Sequence, residues 1–289
     1  MIGNDRKVRV ALLSIISNTS LIVFKIIAGI ISGSVSIISE AIHSSMDLLA
    51  SIVAFFSVKA SSKPADDDHP FGHGKIENIS GIIEGVLILI ASMIIIIEAI
   101  KKIYNPRPID NELIAVLVMF ISGFINFIVS RQLYKVGKEE DSMALKADAL
   151  HLKTDIYTSI GVGFGILLIK ITGIHILDSI VAIVVGLLII KEAIELIKRA
   201  FDELIDKRLS DEEEREIKDI IERFNYEFID YHKLKTRKSG NINHIDFHIT
   251  LNASTTVKEA HDIIGNIKKE MNESLKNSRI TIHIDPSKD

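Results

Sequence analysis

Six apolar stretches, each long enough to cross a bilayer as a helix, occupy the first two thirds of this 289-residue chain. A helix needs roughly 20 apolar residues to span the hydrocarbon core of a membrane, and ordinary soluble domains lack such runs. We predict spans at Val8–Ile31, Val35–Val58, Ile79–Ile103, Glu112–Leu133, Ala144–Ile171 and Ile176–Ile197. The expected fold of residues 1–202 is therefore an all-α membrane domain, a six-helix bundle.

Lysine and arginine are distributed unevenly between the two ends of these spans. The N-terminus and the loops after the second and fourth spans carry ten of these residues, whereas the opposite ends carry four. Basic residues collect on the cytoplasmic side of membrane proteins, so both termini are predicted to be cytoplasmic. The expected location is the cell (inner) membrane, with the lipid bilayer as a partner.

Charge and cysteine content exclude several classes of function. The net charge is −4, and a chain without a basic excess has no general attraction for nucleic acid phosphates. Cysteine is absent, which excludes disulfides and thiolate metal ligands. Any metal site in this chain must therefore use nitrogen and oxygen ligands.

The composition changes at about residue 203, where the long apolar runs end and charged residues become frequent. Residues 203–289 are predicted to form a cytoplasmic domain that begins with a helix capped by Ser210. Two amphipathic helical patterns flank two strands that turn at Ser239-Gly240-Asn241, and the alternation from Arg279 to Asp285 predicts a third strand. The order α-β-β-α-β predicts an α+β, ferredoxin-like domain.

Two His-x-x-x-Asp pairs lie inside predicted spans. His43 and Asp47 belong to the second span, and His151 and Asp155 belong to the fifth. Residues four apart share one face of a helix, so each pair can reach a single point. Ionisable residues inside a membrane are costly and usually functional. Two imidazoles and two carboxylates form a tetrahedral ligand set that suits Zn²⁺ better than hard octahedral ions.

Interhelical hydrogen bonding is the alternative explanation for polar residues inside a membrane bundle. We assign that role to isolated residues such as Asn18 and Asn126. The repetition of one spacing in two separate helices favours metal ligands for the two pairs, because a structural hydrogen bond does not require it. Lys25 and Glu84 are predicted to lie toward the ends of their spans, where they either snorkel to the interface or pair, and Lys153 is predicted to face away from the ligands.

Charge balance predicts how such a site would work. Metal ligands must be deprotonated, so a divalent ion with two neutral imidazoles and two carboxylates forms a neutral unit. Two protons in place of the ion also give a neutral site, whereas the empty, unprotonated site would hold two negative charges in a medium of low dielectric constant. The pairs therefore predict exchange of a divalent metal for protons through alternating exposure of the site to the two sides.

The chain resembles the cation diffusion facilitators along its whole length. The resemblance is carried by Gly33-Ser34 followed by Ser39–Asp47, by Lys146–Asp155 and by the loop Asp66–Lys75, which reads DDDHPFGHGK. It implies a homodimeric exporter that exchanges cytoplasmic metal for protons. In that family an aspartate can stand at the position of His43, and a histidine there implies the zinc-preferring subgroup, with Zn²⁺ as the transported substrate.

Two further groups of residues are candidates for metal sites. Asp66, His69 and His73 gather within eight residues of the loop after the second span, and their spacing fits either a metal site or a solvated acidic loop. The resemblance favours a peripheral metal site there. In the tail, alternation places polar side chains of two strands on one sheet face. The resemblance implies a regulatory metal site at a dimer interface, formed by His232, His248, His261, His283 and Asp285.

The remaining tail histidine, His244, and the loop histidine His175 are predicted to be ordinary surface residues.

Three alternatives to zinc export stay open. The first is a metal sensor or scaffold that binds Zn²⁺ without transport, and the second is a transporter that prefers Cd²⁺, Co²⁺, Fe²⁺ or Mn²⁺. The third, an intramembrane metalloenzyme, is disfavoured because no HExxH motif is present.

Overall fold

The computed structural model describes residues 6–32, 35–104, 112–174, 176–275 and 277–287. Several helical side chains lie outside the described set, at residues 32, 35–37, 39, 40, 42, 43, 46, 112–116, 162, 163, 165–171 and 178. The chain divides into two compact units, Met1–Phe201 and Asp202–Asp289, one residue before the predicted boundary.

Six long helices make up the described part of the first unit. They are α1 (Arg6–Ser32), α2 (Val35–Ser61), α3 (Ile76–Tyr104), α4 (Glu112–Glu139), α5 (Met143–Thr172) and α6 (Ile176–Leu204). Their lengths run from 27 to 30 residues. A helix of that length extends about 40 Å, which exceeds the hydrocarbon core of a bilayer at about 30 Å.

Three of these helices qualify as membrane spans by length and apolar composition among the residues the structure describes. The qualifying segments are Arg6–Ile31, Ile76–Tyr104 and Leu117–Glu139. The spanning of α2, α5 and α6 stays a prediction. All six helices also extend past the predicted ends of their spans, with the largest extensions in α4, which reaches Glu139, and α6, which reaches Leu204. Backbone hydrogen bonding continues a helix beyond its apolar part, a boundary that hydropathy does not mark.

The helices of the first unit pack through small and apolar side chains. Helix α1 lies against α2, α4 lies against α5, and α3 contacts α5. Gly85 of α3 lies so near α6 that an added Cβ would stand 2.5 Å from Cγ1 of Ile197. Large apolar side chains on the outer faces, such as Ile27, Ile94 and Phe124, are exposed. Small residues between helices and apolar residues outside are the pattern expected of a membrane bundle.

The second unit is a three-stranded sheet with two helices. Its elements are α7 (Asp211–Glu222), β1 (Asp230–Ser239), β2 (Ile242–Leu251), α8 (Val257–Ser274) and β3 (Ser278–Pro286). The sheet order is β1-β2-β3, with β1 antiparallel and β3 parallel to β2. The predicted α-β-β-α-β order is therefore confirmed, as is the capping box at Ser210, whose hydroxyl accepts from the Glu213 backbone N–H.

One face of this sheet forms the core of the second unit. Ile245, Phe247 and Ile249 of β2 are fully buried in a cluster with Ile217 of α7 and Ile267 of α8. Because side chains alternate along a strand, the residues between these three point to the opposite face. That opposite face carries the polar residues of the tail.

Candidate metal centre

Three predicted ligands meet inside the first unit. Asp47 of α2 with His151 and Asp155 of α5 each direct one ligand atom to a common point, and these atoms lie within 4.8 Å of one another. The Nε2 atom of His151 lies 3.1 Å from Oδ1 of Asp47. Asp47 and His151 are buried, and Asp155 is half-buried. An imidazole and two carboxylates at this spacing could hold a divalent metal ion.

The four-residue spacing accounts for this arrangement. Helices α2 and α5 pack against each other, and His151 and Asp155 stand one turn apart on the face of α5 that meets α2. His43 lies in α2 one turn before Asp47, which is the position of a fourth ligand. The side chain of His43 lies outside the described residues, so its part in the site stays a prediction.

Asn126 of α4 supports this cluster in a way that the sequence analysis missed. Its amide Nδ2 donates to Oδ2 of Asp155 over 3.3 Å. Its Oδ1 is buried without a hydrogen-bond partner in the described part of the chain. The residue does connect two helices, as predicted for interhelical bonding, but the residue it contacts is a predicted ligand. Sequence spacing gave no sign of this, because the partners lie on different helices.

Two lysines near the cluster have different surroundings. Lys153 faces away from the ligands as predicted, since its Nζ lies 3.8 Å from Oε2 of Glu192 on α6. Lys25 of α1 is buried, and its ammonium donates to Oγ of Ser44 on α2 over 2.7 Å. Of its two predicted roles, snorkelling is therefore wrong, and the described partner of the ammonium is the hydroxyl of Ser44. The helix interface provides a hydroxyl acceptor that hydropathy alone does not reveal.

Glu84 is also placed differently from its prediction. Its side chain is fully buried on α3, and the hydroxyl of Ser80 donates to its Oε1 over 3.2 Å. Snorkelling, one of its two predicted roles, is therefore wrong for Glu84 as well. Gly81 and Gly85 lie on either side of it and contact α5 and α6 closely, which places this part of α3 inside the bundle.

The three candidate residues of the loop lie together in the structure. Oδ1 of Asp66 lies 3.1 Å from Nδ1 of His69, and Oδ2 lies 3.4 Å from Nε2 of His73. Gly72 adopts a φ of +86°, a conformation that L side chains rarely adopt, and so lets the loop fold back between the histidines. The backbone N–H of His69 donates to Asp66 and lowers the pKa of that carboxyl, helped by its side-chain ring. The cluster is open to solvent and could bind a cation.

The tail cluster is assembled by the strand register. His232 of β1 pairs with His248 of β2, which pairs with His283 of β3. Oδ2 of Asp285 lies 2.9 Å from Nδ1 of His248 and 3.0 Å from Nε2 of His232. Its Oδ1 lies 3.3 Å from Nε2 of His283. The hydrogen bond from His248, followed by that from His232, lowers the pKa of Asp285.

Two other tail histidines differ from expectation. His261 is exposed on α8, and the helix layer covers the apolar sheet face, opposite to the face with the other histidines. Within one chain the structure therefore does not bring His261 to the cluster. His244 is only 5% exposed, so its prediction as a surface residue is wrong. Burial, with Arg237 and Arg279 beside it, lowers the pKa of His244. His175 lies outside the described residues.

Both units match known protein domains. Residues 11–205 match the cation efflux transmembrane domain, and residues 209–287 match the cytoplasmic domain of cation efflux proteins. The manganese efflux system protein MneP of Bacillus subtilis is 33% identical over 286 residues, which cover 96% of this chain and 95% of MneP. The uncharacterized transporter sll1263 of Synechocystis is 33% identical over 279 residues, which cover 96% of this chain and 90% of sll1263. The cation-efflux pump FieF of Shewanella oneidensis is 26% identical over 273 residues, which cover 94% of this chain and 92% of FieF.

Proposed function

Because this chain belongs to the cation efflux family, the cation diffusion facilitators, we propose that it exports a divalent transition metal in exchange for protons. The substrate we propose is Zn²⁺. Members of this family are metal transporters of membranes and not enzymes, and the predicted resemblance is confirmed. The observation that carries the proposal is the buried cluster of Asp47, His151 and Asp155. Such a cluster inside a membrane domain is the kind of site at which a transporter binds its substrate.

The donor atoms favour zinc as the substrate. With His43 as the fourth ligand, the site would offer two nitrogens and two oxygens, a set that suits tetrahedral Zn²⁺. The same set explains proton exchange, because the metal-filled site and the doubly protonated site are both neutral. We place the site in the cell (inner) membrane with both chain termini cytoplasmic, so that metal enters from the cytoplasm and leaves on the other side.

Manganese is the second candidate, and two observations favour it. Oδ1 of Asn126 is buried without a hydrogen-bond partner among the described residues and belongs to the amide that contacts Asp155. Carboxylate and carbonyl oxygens suit Mn²⁺. The relative MneP is named for manganese efflux. A site in which Asn126 supplied an oxygen ligand would be harder than the tetrahedral set and would admit this ion.

Flux of each metal into proteoliposomes tests the choice between the two ions. At equal free concentrations we expect Zn²⁺ to enter faster than Mn²⁺ through the wild-type protein. Asn126→Ala should lower zinc affinity about 10–100-fold, because it removes a partner that orients a ligand. It should leave the ratio of zinc to manganese flux unchanged, and Gln132→Ala, an exposed amide on the same helix, serves as the control.

Faster entry of Mn²⁺ would identify manganese as the substrate. A selective loss of manganese flux in Asn126→Ala would identify Asn126 as a ligand of that ion. A sensor or scaffold function is separated by the same assay. Such a protein would bind Zn²⁺ in calorimetry with the same ligands but would move none of it across the membrane. Flux of Cd²⁺, Co²⁺ and Fe²⁺ is measured in the same assay, because these ions are further candidate substrates.

The loop and tail clusters are proposed as resident zinc sites apart from the transported ion. The tail matches a dimerisation domain of the family, which indicates a homodimer. Three imidazoles around Asp285 would then give each subunit a regulatory site, and the loop cluster would give a peripheral one. His261 stays a candidate ligand only if the second subunit supplies it.

Removal of one tail ligand should change the amount of bound metal without stopping transport. We expect Asp285→Asn to lose at least one zinc per chain, because Asp285 contacts all three imidazoles of the cluster. Elemental analysis of the purified full-length protein measures this. Asp262→Asn, an exposed aspartate on α8, is the matched control. Equal zinc content in both variants would remove the tail cluster from the list of metal sites.

A further inference from the structure

Glu84 and Asp148 form a second buried acidic group inside the membrane domain. Both side chains are fully buried, Glu84 on α3 and Asp148 on α5. The two carboxyl groups interact electrostatically with each other. Neither residue belongs to the predicted ligand set, and buried ionisable residues in a membrane are usually functional. The pair therefore needs an explanation that the metal site alone does not give.

The two acids are unequally supplied with hydrogen-bond donors. Asp148 Oδ1 accepts from the hydroxyl of Ser51 over 3.1 Å. That hydroxyl in turn accepts from Nδ2 of Asn18 over 2.7 Å, and Oγ of Ser14 lies 2.9 Å from it. This chain of polar groups from α1 and α2 stabilises a negative charge on Asp148. Oδ2 of Asp148, like Oε2 of Glu84, is buried without a hydrogen-bond partner among the described residues. The polar chain at Oδ1 and the electrostatic attraction of His151 nevertheless make Asp148 the better placed of the two acids to be ionised.

Glu84 has much poorer support for a negative charge. Its Oε1 accepts one bond from Ser80, and its Oε2 is buried without a hydrogen-bond partner in the described residues. The α6 groups next to Gly85 are the apolar side chain of Ile197 and the backbone carbonyl oxygen of Ala193, neither of which can donate a hydrogen bond to a carboxylate. Among described side chains the charged group that acts on Glu84 is Asp148, which is also an acid. An ionised carboxylate in these surroundings would lose most of its hydration, and the described side chains offer no cation that would offset the loss.

We propose that Glu84 holds a proton while the metal site is empty and releases it when metal binds, so that Glu84 is a proton site of the transporter separate from the ligands. The inference rests on the proposed function and makes Glu84 the carrier of one of the two exchanged protons, so that a single imidazolium among the ligands carries the other. In the release step the O–H bond of the Glu84 carboxyl breaks, its electrons stay on the carboxylate oxygen, and the proton passes to bulk water.

Asp148 explains how the two sites would communicate. It stands one turn before His151 on α5, and it interacts electrostatically with His151 and with Asp47. When a divalent cation replaces one imidazolium proton, the ligand site gains one positive charge next to Asp148, which offsets the repulsion that opposes ionisation of Glu84. Metal binding and proton loss at Glu84 therefore favour each other, and by linkage protonation of Glu84 weakens metal binding.

Counting protons during metal binding tests the proposal. Purified full-length protein is titrated with Zn²⁺ in weakly buffered solution that contains a pH indicator. Relative to the wild type, Glu84→Gln should release about one proton fewer per zinc bound, because glutamine keeps the shape and loses the proton. Glu98→Gln, an exposed glutamate on the same helix, should release the wild-type number. An unchanged count in Glu84→Gln overturns the proposal.

Infrared difference spectroscopy of the wild type gives a second test that does not depend on the variant folding. Addition of Zn²⁺ should remove the C=O stretching band of a protonated carboxylic acid, since the ligand aspartates are ionised in both neutral forms of the metal site. Absence of that change overturns the proposal. Zinc flux measured in parallel keeps the two proposals apart, because a wild type that binds zinc and releases protons but transports nothing contradicts only the transport function.

Discussion

Asp47→Asn should reduce zinc flux into proteoliposomes by more than about 100-fold, to the level of vesicles without protein. The expected size follows from the role of the residue, since even partners that only orient a metal ligand usually cost 10–100-fold. Asp47 contributes one of the three described ligand atoms and lies 3.1 Å from His151. Asparagine has nearly the same shape, so the helix packing around it should persist.

Charge explains why the loss should be larger than that of one coordination bond. With an amide in place of the Asp47 carboxylate, Zn²⁺, two neutral imidazoles and one remaining carboxylate would leave a net positive charge inside the membrane. Uncompensated charge in a medium of low dielectric constant is strongly disfavoured. Asp219→Asn, an exposed aspartate on α7, controls for expression and reconstitution. Wild-type flux in Asp47→Asn would show that the buried cluster is not the transport site.

A pH difference of one unit should drive accumulation of zinc up to about 100-fold in vesicles with an acidic lumen. Each pH unit is worth about 1.4 kcal/mol per proton, so two protons per metal ion support about two factors of ten. The stoichiometry of two follows from charge balance, since two protons replace the two positive charges of one Zn²⁺. Lumenal zinc is measured with a fluorescent indicator after the external pH is raised.

Two controls make this experiment specific. An ionophore that collapses the pH difference should abolish accumulation, and vesicles with Asp47→Asn should show none at any pH difference. Because two protons exchange for one divalent ion without net charge movement, an imposed membrane potential should leave the accumulation unchanged. Flux that ignores the pH difference would refute proton exchange while leaving metal transport intact. A tenfold limit would indicate one exchanged proton per metal.

Regular spacing made much of this architecture accessible from the sequence. The tight hairpin of the tail followed from Ser239-Gly240-Asn241, and in the structure Gly240 has a φ of +59° while Ser239 pairs with Ile242. The position of Asp155 one turn after His151 followed from the helical period in the same way. Both inferences depend on neighbours along the chain, which sequence patterns report directly.

Contacts between different elements were the part that the sequence could not supply. Asn126 and Asp155 are 29 positions apart, and their meeting depends on how α4 rotates against α5. The burial of Glu84 was missed for the same reason, because its position near the start of α3 does not reveal that this face of the helix turns into the bundle. His261 is a further example, since it lies near the other tail histidines in sequence but belongs to the helix layer on the opposite side of the sheet.

The tail cluster has a consequence for the edge of its sheet. Strand β3, near the C-terminus, contributes both His283 and Asp285, and among the described strands it pairs with β2 alone. A metal that binds only when all three strands are in place would stabilise this edge by about 2.7 kcal/mol at a free concentration 100 times its dissociation constant. Fraying of β3 would then become rarer as cytoplasmic metal rises, an effect that amide hydrogen exchange along the strand would detect. The stiffness of the last strand would thus vary with the concentration of the ion that the membrane domain removes.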